Sequence, residues 1–276
     1  MTDESFKGVG GLSIYATASR PEGRKARAVV VIVHGVNSHS GYYTWSIEQL
    51  VAAGYTVYAY DHRGRGRSQG ERFFIEDVSE YVDDLATLVR AAKAKEGLPV
   101  YILGHSAGGV VSCTYTLDHQ AEIAGLICES FAFQVYAPDF ALAVLKGLSH
   151  VAPHAHVLKL PFEGFSRDPK VVEAMYNDPL IHKEVQPTAT AAALARADDR
   201  LKKDFPLIKL PVLIMHGTAD KVTKPGGSQF FYDHAGSSDK TLKLYEGHVH
   251  DLLSDLDRER VMADIVAWLD ARAPKT

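Results

Sequence analysis

Val100-Tyr-Ile-Leu-Gly-His-Ser-Ala-Gly-Gly-Val-Val-Ser112 is the stretch that decides the fold of this chain. Pro99 sets off a short apolar run, Val100 to Leu103, that reads as a buried strand, and the small residues from Ala107 to Leu117 offer a helix. Gly104-His105-Ser106-Ala107-Gly108 is then the turn between them, a G-x-S-x-G sequence in the setting of a nucleophile elbow. A serine held on so sharp a turn needs neighbours without a Cβ, so that strand and helix can approach closely. The helix N-terminus adds free N–H groups and a positive dipole end beside any negative charge that forms at Ser106. A catalytic serine also requires a base, an acid and an oxyanion donor from elsewhere in the chain.

With 276 residues, 46% apolar and 23% charged, the composition is that of a soluble globular protein with room for a large core. A net charge of −4 excludes the basic surface that nucleic acid would call for. Met1-Thr-Asp-Glu-Ser-Phe-Lys7 has neither a basic nor an apolar signal region, and no run approaches about 18 uninterrupted apolar residues. The expectation is a cytoplasmic protein. Cys113 and Cys128 read as small buried side chains, without the C-x-x-C spacing of a metal site.

Outward from the elbow, Glu4 to Ser19 reads as an edge hairpin, and Ala28-Val-Val-Val-Ile-Val33 as a strand covered on both faces of a parallel sheet. Trp45 to Ala53 is a helix ended by Gly54, and Tyr55 to Tyr60 the next strand. Asp61-His-Arg-Gly-Arg-Gly-Arg-Ser68 has glycines and cations that suit a phosphate, yet it lacks a Walker lysine–serine pair and an immediate helix, so a structural loop is favoured. Apolar spacing predicts a helix over Asp77 to Lys95 with Asp77 as its cap, and Ile123 to Cys128 is another buried strand. Strands alternating with helices at this pitch mean an α/β fold with a mainly parallel sheet.

After Ser130 that rhythm stops. Helix-like pieces at Pro138 to Leu148, Val171 to Met175 and Ala189 to Leu201, separated by prolines, predict a mainly helical cap over residues 131–204, inserted into a core of residues 1–130 and 205–276. Strands Pro211 to Met215 and Thr241 to Tyr245 then return, with helices over Gly227 to His234 and around Val261, Ile265, Trp268 and Leu269.

Open α/β sheets bind ligands at the carboxyl ends of their strands, and three signals fall there. Met215-His-Gly-Thr-Ala-Asp220 ends a strand with a carboxylate; Tyr245-Glu-Gly-His-Val-His250 follows another; His34-Gly35-Val36-Asn37 follows the first buried strand. The order Ser106, Asp220, His250 is the nucleophile, acid, base order of α/β-hydrolases, and Val36 N–H with Ala107 N–H supplies an oxyanion hole. His248 and His250 are separated by spacing too short to choose between them, and Asp251 is the nearest rival to Asp220. A carboxylate adjacent in the chain reaches the far ring nitrogen poorly, which favours Asp220.

Four stretches resemble the monoacylglycerol lipases: His34 to Tyr42, Asp61 to Arg72, Gly104 to Gly109, and Tyr245-Glu-Gly-x-x-His250. Met175 to Leu180 and Lys240 to Glu246 resemble that family too. The resemblance implies Ser106 as nucleophile, Asp220 as acid, His250 rather than His248 as base, Val36 and Ala107 as oxyanion donors, and two-step hydrolysis of an acyl ester without metal or organic cofactor. The chain departs from the mammalian pattern at Thr223, where those enzymes have a cysteine near the triad aspartate, and at Glu129, Phe131 and Phe133. Asn37, Phe131, Phe133, Leu142 and Leu145 are the expected substrate-lining residues, and the partner is a small-molecule acyl monoester. The apolar side chains Phe140, Val144, Leu148, Val151, Val157, Leu158, Phe162 and Phe165 either pack the cap onto the sheet or face an entrance, where they give at most a weak, transient membrane contact. A peptidase of the prolyl-aminopeptidase kind, a lysophospholipase and a non-catalytic binding protein are the alternatives on this fold. Dehalogenases and epoxide hydrolases are disfavoured, because they need a carboxylate where Ser106 stands.

Overall fold

The computed structural model describes residues 1–275. Its main sheet is built from β1 (Thr2–Asp3), β2 (Ala16–Ser19), β3 (Val29–Val33), β4 (Thr56–Tyr60), β5 (Val100–His105), β6 (Gly125–Glu129), β7 (Val212–Gly217) and β8 (Lys240–Tyr245). Across the sheet the order is β1-β2-β4-β3-β5-β6-β7-β8. The pairs β1–β2 and β2–β4 are antiparallel, and every pairing from β4 to β8 is parallel. The expected edge hairpin is present as a small antiparallel pair, Phe6–Lys7 with Ser13–Ile14, ahead of β2.

Strand β3 shows why its sequence lacks polar alternation. Val29, Val31 and Val33 enter one core cluster, while Val30 and Ile32 enter the other, on the opposite face of the sheet. Helices α1 (Thr44–Ala52) and α8 (Arg258–Asp270) cover the second cluster; α2 (Ser79–Glu96), α3 (Ala107–His119) and α7 (Pro225–His234) cover the first. With both faces covered, each position of the strand must be apolar. Helix α2 starts two residues later than the spacing predicts. Asp77 nevertheless accepts the Ser79 N–H at 2.9 Å, while Glu80 reaches back to the Glu76 N–H at 2.8 Å.

Between β6 and β7 run α4 (Asp139–Leu148), α5 (Pro169–Asn177) and α6 (Thr188–Asp204), with a two-stranded pair, His156–Leu158 and Gln186–Pro187, that the sequence did not announce. Ala193, Ala197 and Leu201 of α6 belong to the first core cluster, so the layer that covers the sheet begins inside the stretch expected as cap. Phe162, Phe165, Met175 and Ile181 form a separate small core. Helix α4 has no buried residue within its span. Phe140 and Val144 on it, and Val151 just beyond, are 73, 64 and 84% exposed. No helix of the described residues is long and apolar enough to cross a membrane.

Candidate active site

Ser106 stands between β5 and α3 at φ 55°, ψ −121°, a region that costs a residue with a side chain about 1–3 kcal/mol. The surroundings hold it there. Its N–H donates to the Glu129 carbonyl at 2.9 Å, and its own carbonyl accepts from Gly109 N–H at 2.9 Å and Ala132 N–H at 3.2 Å. The glycine requirement is steric: a Cβ on Gly108 would lie 2.1 Å from the Val33 carbonyl oxygen, and one on Gly35 would lie 2.9 Å from the Ser106 Cβ.

The Ser106 hydroxyl donates to His250 Nε2 at 2.9 Å, and His250 Nδ1 donates to Asp220 Oδ2 at 2.8 Å. All three residues are buried. Asp220 also takes the Val222 and Thr223 N–H groups on Oδ1, at 2.7 and 3.0 Å, and the Thr223 hydroxyl on Oδ2 at 2.9 Å. Burial alone would raise this carboxyl, but His250 and His216 outweigh it and hold Asp220 well below the usual carboxylate range. Thr223, where the mammalian pattern has cysteine, thus serves the aspartate directly.

Sequence reasoning missed two supports. His216, within the Met215–Asp220 motif itself, donates from Nε2 to Asp220 Oδ2 at 3.0 Å and bonds Ser228 through Nδ1 at 2.7 Å. Phe165 sets its ring edge-on to His250, with centroids 5.1 Å apart, and its carbonyl accepts the Asp251 N–H at 2.8 Å. The rival residues stand outside this hydrogen-bond chain. His248 lies 3.7 Å from Asp255, and Asp251 makes no hydrogen bond to the His250 ring.

The loop after β3 is built as tightly. His34 Nε2 accepts the His62 N–H at 3.0 Å, so the ring proton is on Nδ1, which donates to the Gly35 carbonyl at 2.7 Å. That bond orients the Gly35–Val36 peptide, whose N–H is the expected oxyanion donor. Burial holds His34 down to about 4, which preserves this arrangement at neutral pH. Asn37, at φ 53°, donates its N–H to Glu184 Oε1 at 2.9 Å and its side-chain amide to the Leu160 carbonyl at 3.2 Å. The side chain expected to meet substrate therefore ties this loop to the helical insertion. Glu184 is paired with buried Arg65.

Arg65 belongs to the Asp61–Ser68 loop, and its neighbours show what that motif does. Arg63 is paired with Asp84 and Glu80, while Asp61 accepts the Ser40 and Arg67 N–H groups at 2.7 and 2.8 Å. These contacts are structural, and they consume the charge that a phosphate would need.

One expectation is corrected. Phe131 and Phe133 do not face a substrate; both rings are buried in the first core cluster, 5.7 Å apart, with Phe133 against Phe205 at 5.0 Å and Phe131 against Phe231 at 5.5 Å. After the turn at Ser130, φ 46°, the chain carries them under α3, where the Phe131 ring fills the space left by Gly109. Leu142 and Leu145 are half-buried on α4.

The family described as serine aminopeptidase, S33, matches residues 24–257. The chain belongs to that family. Among its relatives, a monoacylglycerol lipase of Mycolicibacterium smegmatis is 34% identical over 271 residues, covering 97% of this chain and 96% of that one. Human monoglyceride lipase is 31% identical over 252 residues, covering 89 and 83%. In three dimensions the chain is similar to a crystal structure of Paleococcus ferrophilus monoacylglycerol lipase, with a TM-score of 0.86 at 30% identity over 94% of this chain and 99% of that one. As a member of the S33 family, with the α/β-hydrolase fold of these neighbours, the protein is a serine hydrolase.

Proposed function

We propose that the protein hydrolyses monoacylglycerols or similar acyl monoesters, with Ser106 as nucleophile, His250 as general base, Asp220 as the acid that orients it, and Val36 and Ala107 N–H as oxyanion donors. The observation that carries this reading is the Ser106–His250–Asp220 hydrogen-bond chain on a strained elbow. His250 takes the Ser106 proton as the hydroxyl attacks the ester carbonyl, and Asp220 stabilises the imidazolium. The oxyanion meets two backbone donors, one of them at the N-terminus of α3, where the helix dipole assists. His250 then protonates the departing alcohol and activates the water that hydrolyses the acyl-enzyme.

The substrate class is supported by the monoacylglycerol lipases among the relatives. The insertion of residues 131–204 acts as the acyl-selecting cap, with Leu142 and Leu145 toward the chain of the substrate. Its outward face, Phe140, Val144, Leu148 and Val151, is spaced to form one apolar stripe and rests on dispersed lipid. A reducing, cytoplasmic setting fits the two buried free thiols, Cys113 and Cys128.

Values of kcat/KM on monobutyrin, monocaprylin, monoolein and the matching triacylglycerols test the assignment, with an aminoacyl anilide as the peptidase control. Each buried CH₂ contributes up to ~0.8 kcal/mol, so the rate should rise several-fold per two carbons until the site is filled. Triacylglycerols cleaved as fast as monoesters, or the anilide cleaved best, would overturn it.

A further inference from the structure

Next to the triad lies a second buried polar cluster. His105 ends β5, Glu129 ends β6 and Asp251 follows His250; one potential ligand atom from each of the three side chains lies within 4.8 Å of the others. All three side chains are buried. One polar atom of each lacks a hydrogen-bond partner: His105 Nε2, Glu129 Oε2 and Asp251 Oδ1. The remaining valences are used. His105 Nδ1 is 3.0 Å from the Tyr43 hydroxyl, Glu129 Oε1 accepts the Leu253 N–H at 3.2 Å, and Ser254 supports the Asp251 carboxylate.

Three orphaned atoms in a dry interior cost about 1–3 kcal/mol each, and more if charged. Two carboxylates in one buried site do not both ionise readily, because each raises the other. A single proton on one of the two carboxyls removes the like-charge repulsion and turns one orphaned acceptor into a donor.

We propose that Glu129 and Asp251 hold one proton between them, with Nε2–H of a neutral His105 completing the cluster, so that a single negative charge stands beside His250 and stabilises the imidazolium formed during turnover. The proposal rests on His250 being the base, as assigned above. Burial pushes Glu129 far up and Asp251 up to about 6, which puts the proton on Glu129 and the charge on Asp251 at neutral pH. Burial likewise lowers His105 well below its ordinary value and keeps it neutral. The other titratable groups facing the cluster are Tyr42 and Tyr43 ahead of α1, His34 after β3, Asp220 after β7, Tyr245 at the end of β8, and His250 and Asp255 beyond it. Only Asp251 and Glu129 among these carboxylates lack full pairing. The ring of His105 lies 5.0 Å from that of His250, so the cluster is close enough to act on the base without touching substrate. Asp251 and Glu129 are accordingly positioning residues. A divalent cation would draw its ligands from the same three side chains, but a closed zinc-type site takes four ligands and the cluster offers three.

Two isosteric variants isolate the charge. Glu129→Gln mimics the protonated carboxyl and leaves Asp251 ionised, so kcat and the acid limb of the pH profile should stay within about twofold of the parent. Glu129→Gln with Asp251→Asn removes the charge; kcat should fall ~10-fold with KM little changed, and the acid limb should move ~0.5–1 pH unit lower. Infrared difference spectra of the parent at neutral pH should show a protonated-carboxyl C=O stretch that disappears in Glu129→Gln. The proposal is overturned by the absence of such a band, by a double variant with the parent's kcat and acid limb, or by a stoichiometric divalent metal in the purified parent. The infrared result does not depend on turnover. If Ser106→Ala remained active, the assignment of the triad would fail while the shared proton would still stand or fall on its own spectrum.

Discussion

The strand ends and helix α4 dispose of their side chains in opposite ways. At the carboxyl ends of β3, β5 and β7, polar groups are buried and nearly every one is matched to a partner within a few residues of a strand terminus. On α4, apolar groups face outward and none of the described residues covers them. A buried polar group must find its partner or cost stability, so the first region is rigidly determined. An exposed apolar face leaves no polar group without a partner, so packing within the chain does not fix it in the same way. The hydrogen-bonded strand ends and the exposed apolar face are thus two separable surfaces.

Breaking the first surface should have the largest effect. Ser106→Ala is expected to lower ester hydrolysis by ~10⁴ to 10⁶-fold with circular dichroism and Tm near the parent's, since triad members act as a unit. A folded variant that kept more than about a tenth of the activity would refute the nucleophile. Next, Asp220→Asn should reduce kcat by roughly 10⁴-fold, by favouring the wrong tautomer of His250; near-native turnover would move the role elsewhere. His248→Ala sharpens the contrast between neighbours. It should cost at most about tenfold through loosened packing against Asp255, whereas His250→Ala should approach the serine variant, and the reverse ranking would exchange their roles.

The smallest effect belongs to the second surface. Phe140→Ser with Val144→Ser should leave monobutyrin hydrolysis and Tm within the error of the parent, yet lower the rate on monoolein in vesicles several-fold, as the lost apolar area weakens adsorption. Equal loss on both substrates would mean that α4 shapes the acyl site rather than the lipid contact.

The same contrast explains what could be read from the residues. The elbow, the two-faced strand β3 and the order of Ser106, Asp220 and His250 were legible because each is a local pattern: a period, a glycine spacing or a strand-end motif. His216 was within reach too, since it precedes Asp220 by four positions on the same strand end. Phe131 and Phe133 were misplaced because only the turn at Ser130 decides whether an aromatic pair points up toward a ligand or down under α3. Phe165 against His250 joins residues 85 positions apart, and Glu184 to Asn37 joins residues 147 apart; no spacing rule reaches that far.

The contact of Glu184 with Arg65 and the Asn37 N–H has a practical consequence for anyone wishing to exchange specificity between relatives by building chimaeras. A graft that brought in a foreign segment over residues 131–204 without an acid at position 184 would leave the Arg65 guanidinium buried and uncompensated, a penalty of ~3–5 kcal/mol. It would also release the peptide that follows Val36, and with it one wall of the reaction centre. In this protein the insertion is not a self-contained cassette: a transplant has to carry its matching residue at position 65, or replace that arginine with a neutral side chain.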